Sequence, residues 1–304
     1  MSLCCRPLWF LIGLHAVLIG GCDIGSKAAI KNPETVTTED GAVKLFSAVG
    51  GSVTQDGNAT LVKLNDSRVN DAQLACLKLL VNVTEVDLRD SAITDDGMQH
   101  LTDLVSLVKL NLGGTKLSDA GLAQIAGLSG LKDLNLRGTG ITSEGLIHLK
   151  ELRNLTALSL YQTEIDDAGL EHLATLTSLT SLYLSRTQVM GEGLVHLKGM
   201  ELLTNLSLQD TQINDDAMPH IRELKQLISL GLGNTLVTDD GLAQLHGLEF
   251  LQSVGLEGTA VTDAGLAKLQ ELPALKSITL IGTKVTDAGV AELQERFPEA
   301  EITR

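Results

Sequence analysis

A pair of apolar residues separated by one position returns every 24 residues along most of the chain. The copies are Val62/Leu64, Val86/Leu88, Leu110/Leu112, Leu134/Leu136, Leu158/Leu160, Leu182/Leu184, Leu206/Leu208, Leu230/Leu232, Val254/Leu256 and Ile278/Leu280. Ten in-phase copies rule out an ordinary globule, because each unit can bury its apolar face only by stacking on its neighbours. The consensus reads L-x-x-L-x-L-x-x-T-x-[IV]-T-D-x-G-L-x-x-L-x-x-L-x-x. Its alternating part predicts a short strand, and leucines three apart, such as Leu242, Leu245 and Leu248, predict a short helix. With aromatics at only 2% of the chain, the core must consist of aliphatic layers.

This pattern resembles the leucine-rich repeat, in the short ribonuclease-inhibitor-like form common in bacterial envelope proteins, over residues 61 to about 296. The resemblance implies an α/β solenoid of about ten repeats, with a parallel sheet on the concave face and short helices on the convex face. Strands stack about 4.8 Å apart while helices need about 8 to 10 Å, which bends the stack toward the sheet. A hydroxyl column runs from Ser67 and Ser91 through Thr115 to Thr283, just after each strand, placed to satisfy turn backbone groups. It is similar to the family's asparagine ladder, with Thr in place of Asn. A second column (Asn70, Thr94, Ser118, Thr142, Asp166, Asn214, Thr238, Thr262 and Thr286) supplies helix N-caps, often followed by Asp that complements the helix dipole. Met190 breaks it. Gly97 and its equivalents sit in the first helical turn, where glycine is unfavourable, which predicts close approach of a neighbouring repeat.

The first 21 residues carry Arg6, an apolar run from Leu8 to Ile19, and the small pair Gly20-Gly21, which is signal-peptide anatomy. The run is shorter than the roughly 20 residues a spanning helix needs. Ile19-Gly20-Gly21-Cys22 resembles a bacterial lipobox, which implies lipidation of Cys22 and a mature protein anchored at the cell envelope, facing the periplasm or the exterior. Residues 22–38 read as a flexible tether. Residues 39–60 read as an N-terminal cap, a helix with Val43 and Phe46 inward plus a hairpin turning at Asp56-Gly57-Asn58. Residues 61–296 form the repeat domain, and 297–304 a C-terminal cap with Phe297-Pro298 stopping the last helix and Ile302 in a closing strand.

No catalytic constellation, phosphate loop or nucleophile elbow is present, so the chain reads as no enzyme and as needing no cofactor. His100, His148, His172, His196 and His220 share one phase, but neighbours on successive helices lie too far apart to share a metal. The pairs Asp95-Asp96, Asp166-Asp167, Asp215-Asp216 and Asp239-Asp240 are explained as caps rather than as calcium ligands. Cys76, in the histidine phase, reads as a half-buried small residue. A formal charge of -15 with no basic cluster argues against nucleic acid.

What remains is the concave face. Its outward columns place the chain's only two tyrosines, Tyr161 and Tyr183, on adjacent strands, with Arg137, Gln162 and Arg186 close by. Tyr and Arg dominate interaction hot spots, so this patch is expected to hold a protein or peptide partner on a non-enzymatic scaffold. An alternative is a substrate receptor of ubiquitin-ligase type, since the repeats also resemble those of F-box leucine-rich repeat proteins. The 22 residues of 39–60 leave no room for an F-box, and a signal peptide directs the chain away from the cytosol.

Overall fold

The computed structural model describes residues 33–304; the leader, Cys22 and the tether up to residue 32 lie outside the described residues. One sheet holds twelve strands in strict sequence order. They are β1 (Ser52–Asp56), β2 (Ala59–Lys63), β3 (Val83–Asp87), β4 (Lys109–Asn111), β5 (Asp133–Asn135), β6 (Ala157–Ser159), β7 (Ser181–Tyr183), β8 (Asn205–Ser207), β9 (Ser229–Gly231), β10 (Ser253–Gly255), β11 (Ser277–Thr279) and β12 (Glu301–Thr303). From β2 onward every pair is parallel, and from β3 onward partners are 24 residues apart: Leu134 opposes Leu110 and Leu158, and Ile302 opposes Ile278. The sheet is thus an unclosed solenoid wall.

Between strands the chain returns through short helices on the other face. Some are α-helical, such as Asp119–Gln124 and Asp263–Leu269; others, Glu144–Leu149, Asp167–Leu173 and Glu192–Gly199, are 3₁₀. The leucines of strand and helix meet in one continuous aliphatic core, with Leu134, Leu136, Leu146, Leu149, Leu152 and Leu155 forming one completely buried layer. Burying a leucine contributes about 1.5 to 3 kcal/mol, and here the gain recurs with each layer.

At the N-terminal end helix α1 (Glu39–Ala48) is capped by Thr38 and covers the first layer. Ala42, Leu45 and Phe46 are buried while Val43 is only partly so; Leu45, three positions after Ala42, takes the inward place expected of Val43. β1 pairs antiparallel with β2, which is also the first parallel strand, so the cap hairpin and the first repeat share a strand.

Two expectations about the polar columns change. The Thr column is no inter-repeat ladder: Thr115, Thr139, Thr163, Thr187, Thr211 and Thr235 each donate to the carbonyl of the Leu three residues earlier in their own repeat, at 2.6 Å. The ladder lies instead between the cap column and the preceding repeat's aspartate. The Thr262 backbone N–H donates to Asp239 Oδ1 at 2.8 Å and its hydroxyl to Oδ2 at 2.6 Å. The pairs Thr94–Asp71, Ser118–Asp95, Thr142–Asp119, Thr238–Asp215 and Thr286–Asp263 repeat this two-point grip. Of these gripped residues Thr142 alone caps no helix; its hydroxyl is shared by the Asp119 and Glu144 carboxylates. At Asp166 the partners trade places, with the hydroxyl of Ser143 donating to the carboxylate at 2.5 Å and accepting the Asp166 N–H at 3.0 Å.

Candidate binding surface

Strand pairing sets Tyr183 opposite Ser159, and Tyr161 follows Ser159 by two residues on the same face. The three arginines of this face behave differently. Arg137 Cζ stands 4.7 Å from the centroid of the Tyr161 ring, and Arg186 Cζ stands 5.5 Å from it, so one ring holds two guanidinium groups. Arg186 is also paired with Asp210, Nε to Oδ2 at 3.1 Å, and Asp210 in turn accepts from Asn234 Nδ2 at 2.9 Å. The hydrogen bond from Arg186 to Asp210 holds the Arg186 guanidinium above its ordinary value. Arg89 is gripped at two points by Asp87, Nε to Oδ1 at 3.2 Å and Nη2 to Oδ2 at 2.9 Å. Arg137 is exposed and stands in no ion pair among the described residues.

Two grooves meet at Arg137. One, of about 410 Å³, is lined by Asp133, Asn135, Arg137, Ser159, Tyr161, Tyr183 and Ser207; the other, of about 340 Å³, by Arg89, Asp90, Gly113, Gly114, Arg137, Gly138 and Gln162. Arg137, Tyr161 and Arg186 are therefore in direct contact, Tyr183 shares the first groove, and Gln162 lies across the second. Tyr161 is partly buried beneath its two arginines, whereas Tyr183 is 41% exposed. Tyr161 thus serves as a pedestal, and Tyr183 is the ring a partner can reach.

Backbone conformation singles out two of these residues. The second position after each apolar-x-Leu pair has φ between 52° and 73° in all ten repeats: Asp66, Asp90, Gly114, Gly138, Gln162, Arg186, Asp210, Asn234, Gly258 and Gly282. Eight of the ten are Gly, Asn or Asp, the residues that tolerate this left-handed region. Gln162 and Arg186 alone do not fit it, and both sit beside Tyr161.

Sequence reasoning missed the residues that organise this patch. Asp210 and Asn234 lie in the left-handed column, whose Gly/Asn/Asp content was a readable signal. Ser185, Ser207 and Gln209 form a further network on the same face, with Ser185 Oγ 2.6 Å from Gln209 Oε1. No signal in one sequence marks that network.

Elsewhere, Cys76 is fully rather than half buried, because the 33–36 segment covers it; burial pushes its thiol up, away from nucleophilic character. Among the described residues no three His, Cys, Asp or Glu side chains come together as a metal site, and no helix is long and apolar enough to cross a membrane.

The leucine rich repeat family profile matches residues 80–101 and 130–150. No curated protein matches the chain in sequence. Among solved structures, an internalin (InlF) of Listeria monocytogenes superposes with a TM-score of 0.58 at 20% identity, covering 81% of this chain and 82% of that one. Internalin C2 of the same organism gives 0.52 at 24% identity, covering 72% of this chain and 84% of that one. The period, the sequential sheet and these likenesses together make the fold that of a leucine-rich repeat solenoid.

Proposed function

We propose that this chain is a non-enzymatic scaffold that binds a protein or peptide partner on its sheet face, centred on Tyr161, Tyr183, Arg137, Gln162 and Arg186. The observation that carries this reading is the placement of Gln162 and Arg186 in the left-handed column. Non-glycine residues there are strained by about 1 kcal/mol or more, and strain concentrates where a side chain is needed for function. The solenoid supplies a rigid frame that fixes these side chains before binding, which lowers the entropic cost of association. Nothing in the fold points to catalysis, and leucine-rich repeats serve widely as interaction surfaces.

We further propose that the protein is held at the cell envelope through a lipidated Cys22, a reading supported by the lipobox-like string Ile19-Gly20-Gly21-Cys22 after a short apolar run. Labelled fatty acid supplied to cells should enter the wild-type protein and not the Cys22→Ser variant.

The binding proposal is tested by crosslinking in envelope extract of the source organism, comparing the wild type with a Tyr161→Ala/Tyr183→Ala double variant. A partner captured by wild type and lost from the folded variant supports the central patch. Equal capture by both moves the site to the helices or the ends.

A further inference from the structure

We propose that Arg137 is the receptor for a single carboxylate carried by the partner peptide, an inference that rests on the sheet face being the binding surface. Of the three arginines on this face, Arg89 and Arg186 each already hold an internal carboxylate, from Asp87 and Asp210. Arg137 has the same planar donor edge and no acid on it among the described residues. Its two neighbours display the chemistry that its own environment leaves open.

The guanidinium is also held in readiness. Stacking on Tyr161 at 4.7 Å fixes its plane, and Arg186 on the same ring restricts the ring itself. A guanidinium stacked in this way presents its N–H edge without having to be ordered first, and such an edge matches a carboxylate bidentately. Gly113 and Gly138 add no side chain to the second groove, while the Asp90 carboxylate lies over Gly114 at its edge.

The flanking charges oppose a highly charged ligand. Asp133 lines one groove beside Arg137 and Asp90 the other, and both repel an incoming anion in proportion to its charge. Binding therefore rests on the planar two-point edge of the guanidinium, which a carboxylate matches, and polyanions are disfavoured. The acceptor is therefore an Asp or Glu side chain or a chain-terminal carboxylate, sources that share one chemistry.

The test is selection of a phage-displayed random dodecapeptide library on the purified protein, followed by binding measurements with synthetic copies of the enriched peptides. Enriched peptides should carry an acid at a fixed position. Replacing a side-chain acid by its amide, or amidating the C-terminus, should weaken binding tenfold or more in whichever copy removes the true ligand, and this separates the two sources. Arg137→Gln should produce the same loss with the acidic peptide and no additional loss with the amide copy, while a phosphoserine copy should bind no tighter. Because the peptide-side changes leave the protein untouched, the inference stands or falls even if Arg137→Gln folds poorly. A library without an acid-dependent binder, amide copies that bind equally, undiminished binding to Arg137→Gln, or tighter binding of the phosphoserine copy each overturn it. If Tyr183→Ala loses the peptides while Arg137→Gln keeps them, the sheet face remains the binding surface and the carboxylate receptor fails; if neither variant matters, both readings fail.

Discussion

Gly191 and Ala217 hold in reverse the positions that aspartate and glycine hold in most of the solenoid. In the regular repeats an aspartate lies over the glycine 26 residues later, as Asp239 over Gly265 and Asp263 over Gly289, and a Cβ on that glycine would collide with the carboxylate. At position 191 the aspartate is missing, and at 217 a methyl occupies the space it would have filled. The glycine column is thus enforced by the preceding carboxylate. Gly265→Ala should accordingly destabilise the protein by about 1 to 3 kcal/mol through overpacking. In an Asp239→Gly background the same substitution should cost about 1 kcal/mol less. Denaturant unfolding of the four proteins of this cycle measures the coupling, and additive effects would show that carboxylate and glycine are independent.

The ladder carboxylates tie stability to pH. The Ser143 hydroxyl, reinforced by the Gly169 and Ala168 N–H groups, holds Asp166 below its ordinary value. The Thr286 hydroxyl and then its backbone N–H do the same for Asp263. A carboxylate whose folded value is depressed contributes stability that is present above its unfolded value, near 3.9, and that is lost as pH falls toward the folded value. Thermal unfolding should therefore show a falling midpoint below about pH 4. Asp263→Asn should lower the midpoint at pH 7 and shrink the acid-dependent drop; an unchanged acid slope in that variant would remove Asp263 from the account.

The repeat, the strand columns and the meeting of Tyr161 with Arg137 and Arg186 were legible because a fixed period turns sequence position into spatial position. Two side chains 24 residues apart are neighbours whatever their rotamers. Asp210, 24 residues after Arg186, follows the same period and was readable. Other hidden features depend on offsets other than the period. Asp239 reads as a helix-dipole residue when its own repeat is considered alone, and its grip on Thr262 spans 23 residues. The Thr column matched a familiar ladder in position, but at this position the hydroxyl turns to the carbonyl of Leu232 or its equivalent in its own repeat. Val43 and Leu45 were ambiguous because a single ten-residue helix over the first layer provides no second copy to compare.

That local role of threonine has a measurable consequence. The Thr235 hydroxyl is buried and donates to the Leu232 carbonyl at 2.6 Å. Thr235→Val preserves the shape and leaves a buried carbonyl short of a donor, which should cost about 1 to 2 kcal/mol. Thr283, in the last repeat and only partly buried, makes the same bond at 2.7 Å with water close at hand. Thr283→Val should therefore cost less than Thr235→Val, and chemical denaturation of the pair gives the comparison directly.

The left-handed column offers the sharpest separation of stability from function. Gln162, at φ 57°, makes no side-chain hydrogen bond among the described residues, so its side chain contributes little to hold the fold while its backbone is strained. Most substitutions destabilise, yet Gln162→Gly should stabilise by about 0.5 to 1 kcal/mol, since glycine adopts this conformation freely. Arg186→Gly should gain less, because it also gives up the contacts with Asp210 and Tyr161. Both variants should bind partner peptide more weakly than wild type. Calorimetric melting together with peptide titration tests both halves, and a Gln162→Gly protein that is less stable, or that binds unchanged, would show that this residue is not retained for recognition. Gly138→Ala supplies the counterpart: it forces a side chain into φ 62°, should destabilise by about 1 kcal/mol, and gains no binding group in return.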